Sequence, residues 1–524
     1  MSFDRITPNP GIRPTLNLVD WLNRLAAHNG HRPAVEDALT QVTFSELVSH
    51  AHHVAAAFNA RGIGPGSRVA TLMEPSVAQV IVILGAMAAG AAPLPTNIRL
   101  GARELTEFLG PVEPDLVVTD EVHANLAEAA SHGRWVRLPA ALSASAMAER
   151  LAPLHTVRER LEAVSDDMPG ILFGTGGTTG TPKAAAWDHR GLWLWLNACS
   201  RDVGRSAADF ELYCSPFFHI SFGTGLLSTL FAGGRIRIMR KFDPNEVLAA
   251  LDTGITRIMA AHTMFEAIRS SPRFQKANRD SLRAIYFGGS ISAEGFVRQL
   301  LSDYPNAYVY TGYGATEFAP STWLFHEDIL KGHGDTVGRP IPGAVIRIID
   351  DDGTELKPGV PGEVVVNTPW RALGYWNSPA ATAETYTPLG VRSGDVGYLD
   401  ESGFIHLVGR KKEMIRSGAE NIFPSEVEAV FTNHPQVTQA VVYGVPDDYW
   451  GERVEMAVVP ASKGSPPTLE ELKHFAAGQL AGYKMPKILR VVDEIPLTPA
   501  FKPDRRTLRD RAAAGASNGT ANKG

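Results

Sequence analysis

Short apolar runs alternate with helical segments along most of this chain, and that alternation limits its fold more than any other feature. Strand-like runs stand at 68–73, 91–95, 116–119 and 135–138, with helix-like segments between them. After residue 165 the alternation returns, at 212–214, 235–239, 257–260, 284–287 and 308–311. Strands that take turns with helices build parallel, doubly wound sheets, so two α/β units are expected. One helix start is legible in detail: apolar residues recur at helical spacing over 44–61, and Thr43 with Glu46 three residues on forms a capping box. At 524 residues the chain exceeds what a single core holds, so at least two domains are required.

From about 344 to 407 the texture changes to closely spaced β-like runs broken by Asp-Asp-Gly, Lys-Pro-Gly, Pro-Gly and Glu-Ser-Gly, the turn signals of a small antiparallel β module. A Lys-rich loop after Arg410 then leads to a separate small α+β domain reaching about Arg509, and the Ala/Gly/Ser/Asn-rich stretch 512–524 reads as a disordered tail. The stretch 77–94 is apolar enough to suggest a membrane span, but Gly85, Gly90 and Pro93 interrupt it. It is expected to be a buried helix followed by a strand, with no membrane insertion. The first ten residues contain two prolines and an acid where a signal peptide needs a continuous apolar stretch, so a cytoplasmic address is expected. Fifty Lys and Arg against 56 Asp and Glu give a net charge of −6, no global field for nucleic acid, so any phosphate must be held locally. Cys199 and Cys214 belong to no CxxC pair, which argues against zinc or redox chemistry.

Four segments carry chemistry. Residues 173–183, Phe-Gly-Thr-Gly-Gly-Thr-Thr-Gly-Thr-Pro-Lys, follow a strand-like run and gather glycines, four hydroxyls and a lysine. Such a loop can wrap a polyphosphate: glycines let N–H groups approach, Thr hydroxyls add donors and Lys183 adds a charge. The plainer reading is a flexible linker. It is not a P-loop, because Pro182 precedes the lysine where glycine is needed, and the Gly174, Gly176, Gly180 spacing misses the dinucleotide fingerprint. Residues 310–317, Tyr-Thr-Gly-Tyr-Gly-Ala-Thr-Glu, offer a flat face in Tyr313 and a hydroxyl with a hard carboxylate in Thr316 and Glu317, suited to Mg²⁺ beside phosphate; a turn with a capping Glu is the alternative. In 392–395, Arg-Ser-Gly-Asp, an acid after a tight turn can accept two ribose hydroxyls or be an ordinary turn residue. Residues 409–428 form a basic, hinge-like piece with a Gly turn and then an acidic helix start.

In this order the four segments resemble the superfamily of adenylate-forming enzymes, which includes acyl- and aryl-CoA synthetases, firefly-type luciferases and nonribosomal peptide adenylation domains, with AMP-forming acyl-CoA synthetases the nearest match. The resemblance spans nearly the whole chain and takes in Pro-Phe-Phe-His at 216–219 with Gly223, Phe-Gly-Gly-Ser at 287–290, Leu-Gly-Tyr-Trp-Asn-Ser-Pro at 373–379, and 496–506 around Lys502. It implies a large N-terminal domain of two α/β sheets and a β module over 1–410, a hinge at 411–412 and a small mobile α+β C-terminal domain over 413–511. A carboxylic acid would attack Mg·ATP to give an acyl-adenylate, and the thiol of coenzyme A would then displace AMP. By the resemblance, Thr175, Gly176, Gly177, Thr178, Thr179, Gly180 and Lys183 would hold the β- and γ-phosphates. Gly288, Gly289 and Ser290 with Tyr313 would sandwich adenine; Thr316 would touch the α-phosphate and Glu317 bind Mg²⁺. Asp395 would take the ribose hydroxyls and Arg410 contact the nucleotide. Lys502 would bridge carboxylate and α-phosphate, His219 would gate the acid pocket, and Ser417, Gly418 and Ala419 would meet the pantetheine after a domain swing about Lys412.

Several positions depart from the family pattern. Gly176 stands where Ser is commonest, Ala184 where Gly usually follows the lysine, Phe501 where Gly precedes Lys502, Ala419 for a frequent Gly and Thr311 for a common Asn. Three of them bear on adenylation, which leaves a ligase that mainly converts a preformed acyl-adenylate as an alternative to the full two-step enzyme. A stand-alone enzyme loading a carrier protein in trans, a luciferase-like oxygenase and a silent binding homologue are further alternatives. Gly223, Gly225 and Gly312 are read as leaving room around His219 for a bulky apolar acid.

Overall fold

Thr43 caps the helix Phe44–Ala60 with the reciprocal bonds that a capping box requires. Its hydroxyl accepts from the Glu46 N–H at 3.2 Å, and the Glu46 carboxylate accepts from the Thr43 N–H at 2.8 Å. This comes from a computed structural model describing residues 16–131, 134–138, 164–175, 183–288, 294–418, 420–462, 464–497 and 503–517. The stretch read as a buried helix and strand forms the helix Val77–Ala88, capped by Ser76, and the strand Ala92–Pro95. Nearly every residue of that helix is buried, as its all-round apolar surface demands. Gly85 lies where it crosses the helix Phe44–Ala60: a Cβ there would stand 2.5 Å from Val54 Cγ1, so the glycine sets how closely the two helices pack. No helix of the described residues is long and apolar enough to cross a membrane.

The nine-stranded sheet runs Arg339–Pro340, Thr322–Phe325, Tyr308–Thr311, Ala284–Gly288, Arg257–Ala261, Phe210–Tyr213, Arg235–Ile238, Pro33–Glu36, Gln41–Thr43. Its six central strands are parallel and its edges antiparallel. A second, four-stranded sheet runs Ala92–Pro95, Arg68–Leu72, Leu116–Thr119, Trp135–Arg137, all parallel. The fold is thus the mixed α/β arrangement that the alternation predicts, with a large N-terminal and a small C-terminal domain. A three-stranded antiparallel sheet of Pro169–Thr175, Lys183–Asp188 and Gly374–Tyr375 packs Leu172, Ala184 and Ala186 against Ala70, Leu94 and Phe108 of the four-stranded layer.

Contacts divide the chain into two units, Met1–Val345 with Val366–Val391, and Ile346–Val365 with Arg392–Gly524. The expected β module supplies strands to both. Its turn glycines Gly353 and Gly403 take φ of 85° and 80°, the left-handed conformation that such turns need. The Pro361-Gly362 pair, read as a turn, instead leads into the strand Gly362–Asn367, where a Cβ at 362 would collide with the Ile349 carbonyl of the neighbouring chain segment.

In the second unit, strands Ile415–Ser417, Glu420–Ile422, Val437–Asp447, Gly451–Pro460 and Ile488–Val491 form one sheet. Helices Pro424–Phe431, Leu469–Ala476 and Arg505–Ser517 accompany it. The last helix runs to Ser517, which corrects the expectation of disorder over 512–517, while 518–524 lie outside the described residues. Leu508 and Ala512 are buried with Val441 and Tyr443, so the alanine-rich stretch has an apolar surface to dock on. Arg505 latches the start of that helix: its guanidinium donates to both Glu428 oxygens, at 2.8 and 2.9 Å, and to the Val442 carbonyl at 3.1 Å.

Arg505→Ala leaves the Glu428 carboxylate without its cation. Losing one partner costs about 3–5 kcal/mol for a fully buried pair, and less at side-chain exposures of 21% and 17%. Limited proteolysis should cut the 505–517 segment faster in Arg505→Ala, and the double variant with Glu428→Leu should regain part of the protection. Equal cleavage of wild type and Arg505→Ala would contradict this latch.

Candidate active site

The phosphate-loop candidate is the tip of a β-hairpin. Thr175 and Lys183 face each other as the last pair in register between Pro169–Thr175 and Lys183–Asp188. Gly176, Gly177, Thr178, Thr179 and Gly180 lie outside the described residues, so the structure speaks for the base of this loop. Ala184, one of the departures, sits in regular extended backbone, 1% exposed, with its carbonyl accepting from the Trp376 N–H at 2.8 Å. Its methyl joins the apolar cluster of Leu172 and Phe108, so the strand takes an alanine here without strain.

The Thr316–Glu317 candidate is also a hairpin tip. The strand Tyr308–Thr311 leads into Gly314–Ala315, which pairs with Ala319–Pro320, leaving Thr316, Glu317 and Phe318 in the turn. Ala319 adopts φ 52°, and a Cβ on Gly314 would strike the Ala319 carbonyl, so the turn is as tight as backbone permits. Two bonds pin the tip: Trp187 Nε1 donates to the Thr316 carbonyl at 3.0 Å, and the Ala372 N–H donates to the Glu317 carbonyl at 2.9 Å. The Glu317 carboxylate accepts the Tyr375 hydroxyl at 2.7 Å, and Lys183 Nζ lies 4.9 Å from the centroid of the Tyr375 ring. Burial, and then the charge of Glu317, push the Tyr375 hydroxyl far above the usual phenol range, so it remains a donor. Thr175, Lys183, Thr316 and Glu317 are therefore carried by two pinned hairpins that meet at Trp187 and Tyr375. Sequence reasoning assigned no role to either aromatic, although the quoted run 373–379 contains Tyr375.

Tyr313 is buried, at 7% exposed; its N–H donates to Thr322 Oγ1 at 3.0 Å and its ring lies 5.7 Å from that of Phe318. Gly288 ends its strand in register with Ala261, at the same carboxyl edge of the nine-stranded sheet from which Tyr313 follows. Gly289 and Ser290 lie outside the described residues. Beyond the strand Phe210–Tyr213 comes His219, exposed, whose Nδ1 accepts the Ser221 N–H at 3.1 Å, which places the proton of the neutral ring on Nε2.

The glycines after His219 correct the sequence reading. Gly223 and Gly225 lie in a π-helical turn, Gly223–Leu227, Gly312 follows the strand Tyr308–Thr311, and the space beside each is filled by neighbours. A Cβ on Gly223 would strike the Trp195 indole, one on Gly225 would stand 2.7 Å from Met259 Cε, and one on Gly312 would strike the Thr322 carbonyl. These glycines allow close packing and do not themselves open space beside His219.

Asp395, Arg410, Ser417 and Gly418 belong to the second unit. Asp395 and Arg410 are cross-strand partners, with Arg410 Nε 2.7 Å from Asp395 Oδ1 and its NH1 donating to the Ser393 carbonyl at 3.0 Å. Ser417 pairs with Gly451, and Gly418, at φ 66°, donates its N–H to the Trp450 carbonyl at 2.7 Å. Ala419 and Lys502 lie outside the described residues. Among the described residues no group of three or more His, Cys, Asp or Glu side chains could cage a metal. The hard carboxylate of Glu317 beside the Thr316 hydroxyl fits a Mg²⁺ shared with phosphate oxygens, the usual mode for that ion.

A family model for "AMP-binding enzyme" matches residues 22–376, and one for "AMP-binding enzyme C-terminal domain" matches residues 426–502. The feruloyl-CoA synthase of Amycolatopsis sp. is 33% identical over 506 residues, covering 94% of this chain and 99% of its own length. The fatty acid–[acyl-carrier-protein] ligase ScoC of Streptomyces coeruleorubidus is 31% identical over 512 residues, covering 94% and 96%. Among solved structures, ATP-bound MatB from Rhodopseudomonas palustris matches with a TM-score of 0.84 at 28% identity, covering 95% of this chain and 99% of that one.

Gly223→Ala separates packing from pocket space. With Trp195 in the way, overpacking should cost about 1–3 kcal/mol or more and lower the unfolding temperature. An unchanged unfolding temperature with altered acid preference would instead restore the reading of open space around His219.

Proposed function

The chain belongs to the AMP-binding enzyme family, among the adenylate-forming acyl- and aryl-CoA ligases, and from that premise we propose that it joins a hydrophobic carboxylic acid to coenzyme A through an acyl-adenylate. The observation that carries this reading is the meeting of Lys183 and Glu317 around Tyr375, which sets a cation and a hard carboxylate on two sides of one phenol. That set suits a metal-bound polyphosphate better than it suits proton-transfer chemistry.

In the first half-reaction the acid's carboxylate attacks the α-phosphorus and pyrophosphate leaves. Thr175 and Lys183 would neutralise the β- and γ-phosphates, and Thr316 would donate to the α-phosphate. Glu317 would hold Mg²⁺, which supplies positive charge beside the phosphate oxygens. Tyr313 and Gly288 would flank adenine, while Asp395, oriented by Arg410, would accept the ribose hydroxyls. Lys502 would bridge the carboxylate and α-phosphate, an assignment that rests on the run 496–506. In the second half-reaction the thiol attacks the acyl carbon and AMP leaves; Ser417, Gly418 and Ala419 would meet the pantetheine and His219 would gate the acid.

The acid is proposed as aryl or long-chain acyl on the strength of the feruloyl-CoA and fatty-acid relatives. Incubation with such acids, ATP, Mg²⁺ and coenzyme A should yield a thioester. Absence of product from every acid, even with a preformed adenylate, would overturn the ligase reading, and thioester formed on an acyl-carrier protein but not on coenzyme A would move it to the carrier-loading alternative.

Pyrophosphate exchange into ATP isolates the first half, and thiol attack on a supplied adenylate isolates the second. Because Ala184 is accommodated in its strand, both halves are expected to run. Slow exchange beside fast thioester formation would favour the alternative in which Gly176 and Phe501 weaken adenylation; one lost donor of that kind costs about 10²–10³ in rate. Lys412, exposed in the short turn Lys411–Glu413, is the proposed hinge. Lys412→Pro should spare one half-reaction and depress the other by about 10²-fold, the scale of a misplaced catalytic group. Equal loss of both in a folded variant would contradict a hinge there.

A further inference from the structure

Lys183 and Glu317 carry opposite charges on neighbouring hairpins, yet among the described residues no ion pair joins them. The Tyr375 side chain engages both. Its hydroxyl donates to Glu317 Oε1 at 2.7 Å, and its ring faces the Lys183 ammonium at 4.9 Å from the centroid. Tyr375 is itself fixed along its backbone. It pairs with Ala185, the flanking Leu373 and Trp376 N–H groups donate to Ala186 and Ala184 carbonyls at 2.7 and 2.8 Å, and its own N–H donates to Thr382 Oγ1 at 2.9 Å. Tyr386 closes the other side, edge-on to the Tyr375 ring at 5.8 Å.

We infer that Tyr375 is a positioning residue of the metal–nucleotide site. It occupies one lone pair of Glu317 and leaves Oε2 to face a cation, while its ring holds the Lys183 ammonium toward phosphate and away from the carboxylate. This rests on the proposed roles of Glu317 and Lys183. The physical case is that a direct Lys–Glu pair would satisfy each charge with the other and withdraw both groups from a ligand. A neutral donor with a π-face engages each charge without cancelling either. Outer partners that orient a metal-binding carboxylate typically change metal affinity 10- to 100-fold when removed.

The test is calorimetric and needs no turnover: ATP binding to the full chain across a Mg²⁺ titration, with AMP binding in the absence of Mg²⁺ as reference. Tyr375→Phe keeps the ring beside Lys183 and deletes the hydroxyl. It should raise the half-saturating Mg²⁺ concentration about tenfold and leave Mg²⁺-free AMP affinity within twofold. In a Glu317→Gln background the same change should have no further effect on Mg²⁺ dependence. Tyr375→Leu, which also removes the ring, should weaken ATP binding at saturating Mg²⁺ as well. An unchanged Mg²⁺ dependence in Tyr375→Phe, an equal loss of AMP binding, or failure of that variant to fold would assign Tyr375 to stability and overturn the proposal. Wild-type protein that binds no Mg·ATP would overturn the family-based site assignment itself, a separate outcome.

Discussion

Both faces of a parallel sheet are covered by its crossover helices, and this constraint governs where the molecule can do chemistry. The strands Ala92–Pro95, Leu116–Thr119 and Phe210–Tyr213 are buried along their whole length. Polar side chains that serve a ligand must therefore stand beyond the strand ends, the general location of ligand sites in open α/β sheets. Gly288 ends one strand, Tyr313 follows another, and the loop to His219 follows a third. The two hairpins carry the same logic further: Lys183 stands at the base of one and Glu317 in the turn of the other, each held by backbone pairing, so both are positioned by main chain as much as by side-chain contacts.

Charge is distributed so that neither group is spent on the other. Lys183 rests over a ring and Glu317 accepts from a hydroxyl, contacts that cost little to exchange for phosphate and cation. By contrast Glu36 binds Arg235 and Arg237, and Glu428 binds Arg505, in pairs that serve structure. In the hairpin cluster the two charges meet through Tyr375, and among the described residues they form no direct pair.

Much of this was readable from residues alone, because strand and helix periods, the Thr43 capping box and the turn glycines are local signals. The strands at 68–72, 116–119, 235–238 and 308–311 fall where the apolar runs do. What escaped was non-local. Whether Gly223 opens a pocket or admits Trp195 depends on a side chain 28 positions earlier. The alanine-rich end of the chain looks featureless until Val441 and Tyr443 supply its partner surface. Tyr375 lies 58 positions from the carboxylate it binds, and no spacing rule links a tyrosine to an acid that far away. The ties within each unit came from the folded chain: Tyr375 joins Glu317 to Lys183 in the first, and Arg410 meets Asp395 in the second.

The central claim is that this cluster directs an acid's carboxylate onto the α-phosphorus of ATP. It is tested most directly by oxygen tracing. With the best acid labelled with ¹⁸O in both carboxylate oxygens, mass spectrometry should find one ¹⁸O in each AMP released for each thioester formed, because the bridging oxygen leaves with AMP when the thiol attacks the acyl carbon. Unlabelled AMP, or label in inorganic phosphate together with ADP, would mean that no acyl-adenylate lies on the path and would contradict the account.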